Sequence, residues 1–166
     1  MNKSSYAVFY EKISAPFRTK RMIRLIQMSN FLIEILFYML YPVLIVYIFL
    51  CCRNLLGAAL LVPGISFLLL SFIRKKIGRL RPYEALDISP LILKETGRNS
   101  MPSRHVFSAT IIAMLYLRFS ISAGVFLLLL SIVAAAVRVI AGVHYPEDTI
   151  AGYAAGVLCG MIFMFI

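Results

Sequence analysis

Three short polar passages interrupt an otherwise apolar chain of 166 residues, and they hold both of its histidines. The first is Arg74-Lys75-Lys76-Ile77-Gly78-Arg79-Leu80-Arg81-Pro82, and the second is Met101-Pro102-Ser103-Arg104-His105. The third runs from Arg138 through His144 and Pro146 to Asp148. Guanidinium groups take phosphate oxygens through two parallel hydrogen bonds. Helices starting at Ser103 and near Pro146 would turn their first backbone N–H groups toward an anion. A phosphate held by so many donors needs no metal to neutralise it. An imidazole titrates near neutral pH, so one histidine can attack phosphorus while the other protonates the leaving oxygen. Asp148, four residues after His144, can orient the attacking ring and stabilise its charged form.

These groups need a scaffold, and the composition says which kind. Hydrophobic residues make up 61% of the chain and the mean hydropathy is +0.90, too apolar for a soluble domain of this size to conceal. The expected class is all-α: one polytopic membrane domain over residues 1–166, because backbone polar groups must be satisfied inside lipid. Five spans are expected: Phe31–Cys52, Leu55–Ile73, about Ser103–Phe119, Ser120–Val137 and Thr149–Ile166. Residues 1–30 read as an interfacial amphipathic segment, with Tyr6, Phe9, Ile13 and Phe17 at helical spacing and a break at Pro16. Burying its charges in lipid would cost roughly 3 kcal/mol each. No apolar run of signal-peptide type stands at the start. Five alternating crossings put the loops 74–105 and 138–148 on one membrane face. Within the first passage, Arg74 and Arg81 would share a helix face, with Pro82 ending that helix.

The net charge of +10 beside apolar spans points to a lipid bilayer with anionic headgroups as the partner, and no nucleic acid is expected. Cys51, Cys52 and Cys159 lie in or beside apolar runs and read as small hydrophobes.

Together the three passages resemble the tripartite signature of the type-2 phosphatidic acid phosphatase superfamily, which includes lipid phosphatases and vanadium haloperoxidases. The family pattern is Lys, six residues, Arg-Pro; then Pro-Ser-Gly-His; then Arg, five residues, His, three residues, Asp. Here it reads Arg74…Arg81-Pro82, Pro102-Ser103-Arg104-His105 and Arg138…His144…Asp148, with order and spacing kept. The resemblance runs from about Ile73 to the C-terminus. It implies that His144 is the nucleophile that forms a phosphohistidine, that Asp148 supports it, and that His105 is the general acid. It further implies that Arg74, Arg81, Ser103, Arg104 and Arg138 bind the substrate phosphate, with no metal and no cofactor. The implied substrate is a membrane lipid bearing a phosphate or diphosphate: a polyprenyl diphosphate, phosphatidic acid or phosphatidylglycerophosphate. A lipid-phosphate binding or translocating protein without hydrolysis is the alternative, although the second histidine and its acid are superfluous to binding.

Many relatives have six spans where five and an interfacial segment are expected here, and two departures within the pattern also matter. Arg74 stands where the family has Lys, and Lys75 could share its work. Arg104 stands where the family has Gly, which restricts the backbone but adds a cation suited to a second phosphate. Elsewhere the plain readings are preferred. Lys75, Lys76 and Arg79 read as headgroup anchors, Glu34 as a headgroup-level acid, and Glu84, Asp87 and Glu95 as solvated loop acids. Glu147 reads as a favourable charge at a helix start. Gly152, Gly156 and Gly160 read as a close helix-packing stripe, with a dimer face second, so the oligomeric state stays open. Bacterial relatives place the active site on the extracytoplasmic face of the plasma membrane, whereas the charge count alone would place it inside.

Overall fold

The computed structural model describes residues 3–93 and 99–166, so Glu95 lies outside the described residues. Those residues form helices and no strand. The helices are α1 (Lys3–Ser14), α2 (Lys20–Cys51), α3 (Leu56–Ile77), the short α4 (Pro82–Ala85), α5 (Arg104–Leu117), α6 (Ile121–Ile140) and α7 (Pro146–Met164). Their ends follow local chemistry. Pro16 sits in a single 3₁₀ turn after α1, and Thr19 Oγ1 accepts from the Met22 N–H to start α2. Ser120 Oγ accepts from the Ala123 N–H to start α6. The chain therefore breaks at Pro16 as expected, but the first apolar helix begins at Lys20, not Phe31.

Two expectations about helix faces change. The buried stripe of α1 is Tyr6, Tyr10 and Ser14, whereas Phe9 is exposed. α1 packs by its tyrosines onto the protein: the Tyr10 hydroxyl donates to the Ser89 carbonyl at 3.3 Å. In addition, α3 does not continue to Pro82. It stops at Gly78, whose φ of 59° is left-handed and whose N–H bonds the Arg74 carbonyl at 3.1 Å. Glycine takes that conformation without a Cβ clash, so it closes the helix four residues early. Arg81 consequently lies outside α3, as the residue that starts α4.

α5 is apolar nearly all round and occupies the centre, as that pattern requires. Val106, Phe107 and Ala109 through Leu115 are all buried there, and α2, α3, α6 and α7 pack around it. The outward faces of the surrounding helices are apolar too, with Phe31, Leu50, Leu68, Phe72 and Phe126 exposed. Among the described residues, three helical stretches are long and apolar enough to cross a membrane: Lys20–Cys51, Arg53–Ala85 and Ile121–Ile140. α5 is shorter, and α7 opens with two acids.

The glycine stripe of α7 faces α5. A Cβ at Gly152 would lie 2.5 Å from the Ser103 carbonyl oxygen, one at Gly156 would lie 2.7 Å from Thr110 Cβ, and one at Gly160 would lie 2.4 Å from Met114 Cβ. Such separations leave no room for a methyl group, so glycine alone lets the two backbones touch. The contact fixes the register of the pair and puts their N-termini side by side, with the Ser103 N–H donating to the Asp148 carbonyl at 2.9 Å. Gly152→Ala should cost about 1–3 kcal/mol by overpacking and lower the unfolding midpoint in detergent. Gly64→Ala, where nothing lies within 4 Å, should leave the midpoint unchanged or raise it. Equal midpoints for the two variants would contradict the stripe.

Candidate active site

The three polar passages meet at one end of the bundle. The loop after α6 delivers His144, which is almost fully buried, as are Arg74, Arg81, Ser103, Arg138 and Asp148. Pro146 is the first residue of α7, and Asp148 bonds back to the Tyr145 N–H at 3.0 Å, closing that helix start. His105 stands in the first turn of α5, half-buried. Arg104 is exposed beside it, its guanidinium 5.9 Å from the Phe67 ring. Lys75 is exposed on the last turn of α3.

Asp148 and His144 do not bond directly: Oδ2 and Nδ1 are 3.6 Å apart. Ser100 lies between them, its Oγ 3.2 Å from His144 Nδ1 and donating to Asp148 Oδ2 at 2.5 Å. A hydroxyl has one proton. Having given it to the carboxylate, Ser100 can only accept from the ring, which places the imidazole proton on Nδ1 and leaves the Nε2 lone pair free. Asp148 thus steers the ring through a serine absent from the three-part pattern. Burial lowers the His144 pKa from 6.5 to about 4, opposed by the nearby Asp148 carboxylate and reinforced by Arg138 and Arg81. The ring is therefore neutral at physiological pH, the state in which it has a lone pair to offer.

Asp148 has a second partner. Arg79 reaches its Oδ1 at 2.9 Å and Glu147 Oε2 at 2.9 Å, with the guanidinium 4.2 Å from the Tyr145 ring centroid. Tyr145 in turn lies 4.6 Å from the Tyr6 ring, so α1 covers this side of the site. Arg79 is no headgroup anchor. It is a clamp on the site acid, and it gets there because α3 ends at Gly78.

Glu34 is drawn into the site as well. It projects from α2 to bond His105 Nε2 at 2.9 Å, with its other oxygen 3.5 Å from an Arg138 nitrogen.

The arginines differ in how they are engaged. Arg74 Nη1 donates to the carbonyls of Ser100 at 3.1 Å and Pro102 at 2.7 Å, holding the loop that enters α5. Arg81 Nη1 reaches the Val143 carbonyl at 3.4 Å, while its buried Nε has no partner. The buried Ser103 Oγ has none either. Arg74 feels the positive charges of Arg104, Arg81 and Arg138, and Arg138 feels that of Arg81. Buried polar atoms without partners are costly, and crowded cations repel, so an anion entering here would relieve both. Among the described residues, no group of three or more His, Cys, Asp or Glu side chains could hold a metal ion.

Comparison with known proteins bears on this arrangement. Residues 53–166 match the model of the PAP2 superfamily. The crystal structure of LpxE from Aquifex aeolicus superposes with a TM-score of 0.76 at 22% identity, over 95% of this chain and 93% of that one. A transmembrane PAP2-type phosphatidylglycerolphosphate phosphatase from Bacillus subtilis superposes with a TM-score of 0.59 at 19% identity, over 97% and 93%. At these identities the two structures show a shared fold. No curated protein matches the chain.

The proton state of His144 is measurable directly. With the folded pKa below the unfolded one, the ring resists protonation as pH falls, and stability is lost between pH 6.5 and about 4. An NMR titration of the imidazole in detergent should give a midpoint below 5. A midpoint at or above 6.5 would contradict the burial argument.

Proposed function

The chain belongs to the PAP2 superfamily, and from that premise we propose that it is an integral membrane enzyme that hydrolyses a phosphate or diphosphate from a lipid held in the bilayer, without a metal. The observation that carries this reading is the meeting of His144, His105 and the arginine cluster with two buried polar atoms, Arg81 Nε and Ser103 Oγ, that have no protein partner. A phosphate oxygen suits both.

The proposed chemistry has two steps. His144 Nε2 attacks phosphorus and the bond to the lipid oxygen breaks, while that oxygen takes a proton from His105. The product is a phosphohistidine and a dephosphorylated lipid, or a lipid monophosphate where the substrate was a diphosphate. A water molecule then attacks the phosphohistidine and passes a proton to His105, releasing phosphate and restoring His144. Arg74, Arg81, Ser103 and Arg138 hold the phosphate, with Asp148 steering His144.

Support for a lipid comes from the space beside the cations. A cavity of about 180 Å³ is lined by Tyr38, Phe67, Arg104, His105 and Ser108. It shares Tyr38, Phe67 and Ser108 with an apolar cavity of about 240 Å³ that continues past Pro63 and Ile111. A headgroup at Arg104 and His105 would leave its hydrocarbon on that path. In this reading α2, α3, α5, α6 and α7 cross the bilayer, α1 lies at the interface, and the site faces the extracytoplasmic side of a bacterial plasma membrane.

Purified protein should release phosphate from a panel of long-chain lipid phosphates and diphosphates, and His144→Ala should lower the rate by about a thousandfold or more. Normal turnover in that variant, or failure of every lipid to react, would refute the assignment. Arg104→Gly separates the two substrate types: diphosphate turnover should fall by about tenfold relative to monophosphate turnover if Arg104 grips a second phosphate. Equal losses would remove that role.

A further inference from the structure

After Arg24, α2 carries a single charged side chain, Glu34. An ionisable side chain in such a helix is costly unless it is paired, and its partners then tell what it is for. Here the partners come from elements far along the chain. Oε1 sits 2.9 Å from His105 Nε2 on α5, and Oε2 sits 3.5 Å from Arg138 on α6. Arg138 is 3% exposed, so its end of the bridge is rigidly enclosed. Glu34 also precedes the residues that match the family model, which begin at position 53.

We propose that Glu34 is the positioning residue of His105: it fixes the ring and takes one of the two imidazolium N–H groups, so that the other is presented to the leaving oxygen. This rests on the reading of the site as a phosphatase.

The geometry assigns the two carboxylates opposite tasks. Asp148 acts on His144 through Ser100, and the ring it steers is buried among arginines and neutral. Glu34 contacts His105 directly, and that ring is more open, with 28% of its side chain exposed. A carboxylate at hydrogen-bond distance favours a charged imidazole over a neutral one. An imidazolium carries a proton on each nitrogen. With Nε2 committed to Glu34, the Nδ1 proton is the one that transfers, and the ring is left neutral, still bonded to Glu34 through Nε2–H. In the second step Nδ1 takes a proton back from the attacking water. The bridge to Arg138 keeps the carboxylate from following the proton, because leaving Arg138 would strand a buried cation.

A leaving oxygen that needs no proton makes Glu34 dispensable in the first step, which kcat/KM reports on its own, and this supplies the test. Turnover of a long-chain lipid monophosphate and of 4-nitrophenyl phosphate is measured for the wild type, Glu34→Gln, Glu34→Asp and His105→Ala in the same detergent. Glu34→Gln should lower kcat/KM on the lipid by about 10- to 100-fold, and on the aryl phosphate by less than about threefold. Glu34→Asp keeps the charge and should fall within about tenfold of the wild type on the lipid, with the same bias between substrates. Adding Glu34→Gln to His105→Ala should cost nothing further, since the two act as a unit.

Equal losses on both substrates would make Glu34 a structural residue and overturn the proposal. A lower KM with a raised kcat would also overturn it, by identifying Glu34 as an internal stand-in for phosphate that the substrate must displace. If the wild type releases phosphate from neither substrate, the phosphatase reading itself falls, which is a separate outcome.

Discussion

The backbone contact between α5 and α7 is the constraint on which the site depends. Glycine at positions 152, 156 and 160 lets the two helices touch along the length of α7. Such a contact tolerates no slip, because each glycine must meet its own partner: Ser103, Thr110 or Met114. The register it imposes brings the N-termini of both helices to one level and ties the Ser103 N–H to the Asp148 carbonyl. Ser103, Arg104 and His105 from one helix start, and Asp148 from the other, are set before any side-chain interaction is counted. The remaining helices wrap this pair and bring in the cations.

Electrostatics then divides the site into two imidazoles in contrasting settings. His144 is enclosed, with arginines near it, and the Asp148 carboxylate stands 3.6 Å away with the Ser100 hydroxyl between them. His105 is more open and bonded straight to a carboxylate. A pair of like groups can do opposite work when their surroundings pull their proton affinities apart. The same surroundings explain why so many arginines can share a small volume. Arg79 is paired with Asp148 and Glu147, Arg138 with Glu34, and Arg74 with loop carbonyls. Among the buried site donors, Arg81 Nε and Ser103 Oγ have no partner, so both have a hydrogen bond still to give.

The N-terminal helix adds to this. The expected stripe is Tyr6, Phe9, Ile13 and Phe17, whereas the side chains buried against the protein are Tyr6, Tyr10 and Ser14. Tyr6 reaches Tyr145, the residue that Arg79 covers with its guanidinium. α1 therefore buttresses the side of the site where Asp148 is clamped, which amphipathic periodicity alone does not separate from lying on lipid.

The amino-acid sequence by itself determined the apolar helical class and the chemistry of the three polar passages. It also determined the features that span a single turn: the break at Pro16, the α7 start at Pro146, and Asp148 in the same turn. These follow from propensities and spacings that act within a few residues, where the chain's own geometry leaves little choice. Gly78 is a local stop signal that ends α3 ahead of Pro82, and it moves Arg79 and Arg81 off that helix. Only the tertiary structure decided what Glu34, Arg79 and Ser100 touch. Their partners lie 71, 69 and 48 residues away, and over such separations sequence spacing carries no geometry. The spacing around Glu34 does not say which histidine it faces, and packing does, because the meaning of a charge is set by its neighbours in space.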